Sequence, residues 1–109
     1  MTIMTIAASQ PNVSRETRLD GVLGAWLAEA GRGLPGACYD LGVAFSTGSN
    51  GAPCDLIEAH KWFNLAAARG HEEAANCRAD IAEEMTAREI AEAQRRARQW
   101  LAEGRLSAA

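Results

Sequence analysis

Apolar residues return along this chain at helical rather than strand spacing. Leu19, Val22, Leu23, Trp26, Leu27 and Ala30 stand at i, i+3, i+4, i+7, i+8 and i+11, which places them on one helix face and predicts a helix over about 15–30. Gly31-Arg32-Gly33 supplies a glycine stop. Pro35 suits the first turn of a second helix, where no backbone donor is needed. Its stripe is Ala37, Leu41, Gly42 and Phe45, and Gly48 helps to end it. Residues 46–54 form the one long turn-rich loop. Asp55 with Glu58 three residues on has capping-box spacing, opening a third helix to about Arg69. That helix is expected to bury Ala59, Trp62, Phe63, Ala66 and Ala67, and Gly70 ends it. A fourth helix, about 71–84, turns Ala74, Ala75, Arg78, Ile81, Ala82 and Met85 to one side. Thr86 and Glu89 form a second capping box, opening a fifth helix to about Glu103, where Gly104 closes it. Its stripe is Ile90, Ala93, Ala97, Trp100 and Leu101.

Composition points the same way. The 109 residues include 23 alanines but only three valines, five isoleucines and six aromatic residues. Alanine is the strongest helix former, and the β-branched residues that strands prefer are scarce. The fold class is therefore all-α, in a chain long enough for one domain.

Charge and chemistry narrow the function by exclusion. Fourteen acidic against eleven basic side chains give a net charge of −3, the wrong sign for a nucleic-acid binder. The one basic cluster is Arg95, Arg96, Arg98 and Arg105. It reads as cations favoured near a helix C-terminus, or as a docking patch for an acidic protein surface through Arg95 and Arg98, with nucleic acid or anionic lipid least favoured because nothing aromatic interleaves with the arginines. No stretch approaches the roughly 20 apolar residues that span a bilayer, and the first residues lack the basic region of a signal peptide. The expectation is a cytoplasmic protein with no membrane insertion. Cys38, Cys54 and Cys77 are odd in number and widely spaced, and with His60 and His71 they show no metal-ligand spacing. No nucleophile, phosphate-loop or paired-acid motif stands out, so no enzyme activity, cofactor, metal or small-molecule substrate is expected.

The chain also echoes itself. Gly33 and Gly70 lie 37 residues apart, each with alanine four positions later at Ala37 and Ala74. Trp26 with Ala30 is echoed by Trp62 with Ala66 at a shift of 36, and Ala59 with Trp62 by Ala97 with Trp100 at a shift of 38. Such periods on helix pairs mark helical solenoids. At Gly33, Ala37, Leu41, Gly42, Phe45, Gly48, Gly51, Asp55, Ala59, Trp62, Ala66, Ala67 and Gly70 the chain resembles the Sel-one-like repeats, relatives of the tetratricopeptide repeats. It departs from their pattern in a turn one residue longer, with Ala52 where valine is usual, and in Arg78-Ala79 in place of the second Leu-Gly pair. The resemblance implies a short α-α solenoid of about five helices over 15–104. Residues 33–70 would be one complete repeat, 71–104 a degenerate capping repeat, and 15–32 half a repeat. Gly42 would let Ala66 or Ala67 approach, with Trp62 and Phe45 filling the remaining volume.

What this family does follows as an expectation. It implies a protein–protein interaction module, a scaffold or adaptor, with a non-catalytic accessory subunit held permanently in a larger multi-protein complex as the alternative. The first helix of such a repeat usually lines the concave side, which would present Tyr39, Asp40, Val43 and Thr47 to a partner. Residues 105–109 read as a tail. Residues 1–14 read either as a frayed tail or as an extended arm that docks through Ile3, Met4 and Ile6. On the arm reading, deleting residues 2–13 weakens association with the host complex and leaves helical content unchanged. Binding and circular dichroism of the truncated chain check this, and unchanged affinity reduces the arm to a tail.

Overall fold

Alanine-rich helices with few large side chains must approach closely to bury anything, and they do. The computed structural model describes residues 19–108, which are helical between turns and contain no strand. An opening helical turn at Leu19–Leu23 is broken at Gly21 (φ −81°, ψ −113°). Five helices follow: α1 Gly24–Gly31, α2 Pro35–Thr47, α3 Leu56–Ala68, α4 Glu72–Ala82 and α5 Ala87–Ala108.

The helix ends largely use the expected chemistry. Pro35 occupies the first turn of α2, and Gly48 ends that helix in the left-handed region at φ +69°. Thr86 and Glu89 cap each other reciprocally, at 2.8 and 3.1 Å. Asp55 forms only half of its expected box. Its carboxylate accepts from the amides of Ile57 and Glu58 at 3.0 and 3.2 Å, but its own amide donates to the Phe45 carbonyl, and the Glu58 side chain turns elsewhere. His71 caps α4, its Nδ1 accepting from the Ala74 amide at 3.1 Å. Gly104 does not close the last helix, which runs on to Ala108. A lone exposed glycine costs a helix only about 1 kcal/mol and does not by itself end one.

α2 and α3 form an antiparallel hairpin. Gly48 lies against Cys54, Gly42 against Phe63, and Gly33 against Arg69, so the register runs in opposite directions along the two helices. The tightest approach is not at Ala66 or Ala67, as the sequence pattern implies, but at Phe63. A Cβ on Gly42 would lie 2.5 Å from its ring. α3 is the hub: it packs on α2, α4 and α5, whereas α4 and α5 hardly touch each other. Three neighbours explain why α3 buries His60 and Leu65 beyond the expected Ala59, Trp62, Phe63 and Ala66, whereas the expected Ala67 is only half-buried. Trp62 meets Trp100 of α5 edge-to-face, centroids 4.9 Å apart. Of the α4 stripe only Ala74 is fully buried. Of the α1 stripe, Leu23 and Ala30 are buried, Trp26 packs against the core, and Val22 and Leu27 remain exposed.

Two substitutions read out this packing. Gly42→Ala forces Phe63 to move and is expected to cost about 1–3 kcal/mol by overpacking. Trp62→Ala opens a cavity between α3 and α5 and is expected to cost about 3–5 kcal/mol. Urea melts measure both, and a loss below about 1 kcal/mol at Trp62 contradicts its place in the core.

Candidate functional site

Three surface regions carry enough chemistry to be considered. The first is a charged seam between α3 and α5. Glu58 accepts from Lys61 at 3.0 Å and from Arg96 at 2.7 Å, and Arg96 also reaches Glu92 at 2.8 Å. Arg95 grips Glu92 with two nitrogens, at 2.9 and 2.8 Å, and donates to Gln99 at 3.1 Å. The Lys61 ammonium lies 4.2 Å above the Trp62 ring, a cation–π contact. Burial alone would raise the Glu58 carboxyl, but the hydrogen bonds from Arg96 and Lys61 outweigh it and hold the group below its usual 4.5. The hydrogen bonds from Arg95 and Arg96 pull exposed Glu92 down to about 2. Glu103 also lines the seam, so three carboxylates face three cations there, and the Arg96–Glu58 contact joins residues 38 positions apart.

The second region is the α2 face expected to meet a partner. Tyr39 stacks on His71 at 4.4 Å, only 12° from parallel, and tilts against Phe63 at 5.8 Å. Val43 packs against the core, and its carbonyl accepts from the hydroxyls of Ser46 and Thr47, each at 2.9 Å. Asp40 is half-buried, and that burial, with Glu29 nearby, raises its carboxyl above the usual value. Of the four residues expected to be presented, only Thr47 is exposed.

The third region is an open groove of about 400 Å³ where the C-terminal ends of α1 and α3 meet α5. Arg32, Gly33, Arg69, Trp100, Leu101 and Gly104 are among its lining residues, and among the described residues no acidic side chain lines it. Gly33 has φ +83°, and a Cβ there would lie 2.7 Å from the Arg69 guanidinium. The bare glycine therefore both stops α1 and seats the arginine. Neither Arg32 nor Arg69 has a carboxylate within ion-pair distance among the described residues.

These positions redistribute the residues singled out from sequence. Arg95 is paired within the seam, Arg98 is exposed, and Ile3, Met4 and Ile6 lie outside the described residues. Arg32 and Arg69 were missed, although the signal was present: each precedes a glycine, at the same 37-residue shift that relates Gly33 to Gly70. Cys38 is buried, Cys77 half-buried and Cys54 exposed. Burial pushes the Cys38 thiol up, away from reactivity. Among the described residues no cluster of three His, Cys, Asp or Glu side chains could hold a metal ion, and no helix is long and apolar enough to cross a membrane. No protein-family model matches the chain, no curated protein matches it, and no solved structure does.

The seam and the buried His60 imply a two-stage loss of stability with acid. His60 is 3% exposed with no partner for Nδ1, and burial together with Arg78 lowers its pKa below 6.5. The unfolded chain therefore binds the proton first, and stability falls as pH drops below 6.5. Glu58, depressed below 4.5, contributes stability above that value and loses it as acid protonates the folded carboxyl. Urea midpoints against pH should show both stages. His60→Leu is expected to flatten the first. Glu58→Gln should flatten the second and cost about 1–2 kcal/mol at neutral pH, given its partial exposure.

Proposed function

We propose that this chain is a protein–protein interaction module, a scaffold or adaptor built on Sel-one-like repeats. The sequence pattern from Gly33 to Gly70 coincides with the α2–α3 hairpin, and its Gly42 falls at a close approach of that hairpin, against Phe63. Most directly, apolar side chains face outward: Val22 is 48%, Leu27 40%, Leu34 46% and Leu101 36% exposed. Helical stacks bury only the faces between neighbouring helices, so apolar side chains left on the outside are where a further protein surface fits.

The same exposure favours a second reading, an accessory subunit permanently held in a larger complex. The two differ in how the chain behaves alone: an adaptor is a folded monomer, and an obligate subunit aggregates or unfolds without its host. A tagged pull-down with cross-linking mass spectrometry from the native host, run beside the double variant Val22→Asp, Leu27→Asp, tests the shared claim. The expected result is a specific protein captured by the natural chain and lost with the variant, at equal helical content by circular dichroism. A stable monomer that captures nothing specific overturns both readings.

A further inference from the structure

We infer that the groove at the C-terminal ends of α1 and α3 binds a peptide segment of another protein, one presenting a bulky apolar side chain next to an Asp or Glu carboxylate. This rests on the interaction-module reading and specifies the partner's chemistry. The walls are the half-buried Trp100 indole and exposed Leu101, opposite Ala30. Trp100 is braced edge-on against Trp62, so the indole is held in place before anything binds. A volume of about 400 Å³ lies at the small end of ligand pockets and suits one large side chain with its neighbour, not a whole cofactor.

Charge fixes the other half of the partner. Arg32 and Arg69 occupy the C-terminal caps of α1 and α3, where each helix end carries about half a negative charge. Two guanidinium groups against two such ends leave about one positive charge over. No carboxylate in the groove or within ion-pair distance takes it up among the described residues. The surplus is local, because the chain as a whole is acidic at −3. A Cβ on Gly33 would lie 2.7 Å from the Arg69 guanidinium, so the bare glycine leaves room there for the planar fork that a carboxylate recognises. The charged seam near Trp100 offers no such surplus, since Lys61, Arg95 and Arg96 there face the three carboxylates of Glu58, Glu92 and Glu103.

A phage-displayed random peptide library selected on the full-length chain tests this, followed by fluorescence anisotropy of the enriched peptides. Enriched sequences should share an apolar residue beside Asp or Glu. Their affinity should fall at least roughly tenfold with Arg32→Gln plus Arg69→Gln, and similarly with Leu101→Glu, an exposed position on α5 where a carboxylate in the same groove repels the peptide's and competes with it for Arg32 and Arg69. Arg98→Gln, which removes a charge outside the groove, should leave affinity unchanged. Circular dichroism establishes that each variant is folded. Peptides that bind all variants equally overturn the groove while leaving the module reading standing. Enrichment without the acidic residue overturns the carboxylate assignment, and an empty selection overturns the groove. The module reading falls only if the host pull-down also returns nothing specific.

Discussion

The contact on which everything else in this molecule depends is the ring of Phe63 resting on the bare backbone of Gly42. It sets the distance between α2 and α3, and that distance decides whether a core made mostly of alanine can close. Alanines bury little area each, so the fold works by bringing backbones together around a few aromatic side chains. Trp62, Phe63 and Leu41 are the large groups fully enclosed by this arrangement. With α2 and α3 fixed, the opposite faces of α3 are free to receive α4 and α5.

How far the sequence could be read depended on whether a residue's role was local. Pro35, Gly48 and the Thr86–Glu89 pair act within one turn of themselves, and they sit where the pattern put them. Glu58 has the spacing of a local cap, yet a guanidinium 38 residues away and a lysine one turn on compete for its carboxylate and win. Gly42 announced a close approach but not its partner, since which side chain of the facing helix meets it depends on the hairpin register. Likewise the periodic stripe of α1 could not distinguish Leu23, which is covered, from Val22 and Leu27, which are not. Periodicity reports which residues share a face, and only the neighbouring elements decide how much of that face is covered. The groove was the least legible feature, because it is assembled from three separate helices.

The electrostatics divide the α5 side of the molecule into two regions of different character. Beside α3 the basic groups are consumed: Arg95, Arg96 and Lys61 are tied to Glu58 and Glu92, holding two distant helices together. Near the helix ends Arg32 and Arg69 have no carboxylate partner among the described residues, and the Arg69 guanidinium lies beside a bare glycine. Arginine thus serves as mortar in one place and as a presented group in the other. Counting basic residues along the sequence ranks the first place above the second, and pairing reverses that order.

The hub arrangement has a consequence for how the molecule comes apart. Because α4 and α5 each lean on α3 and hardly on each other, neither acts as a lock on its neighbour. Their openings are therefore separate events, α5 limited by its seam with α3 and α4 by its seam with α3 and the Tyr39–His71 stack on α2, while α2 and α3 separate only when the inner layer is lost. Protection of backbone amides would then be graded, highest in the hairpin and lower in two independent leaves. A chain built this way can loosen one helix without surrendering its centre.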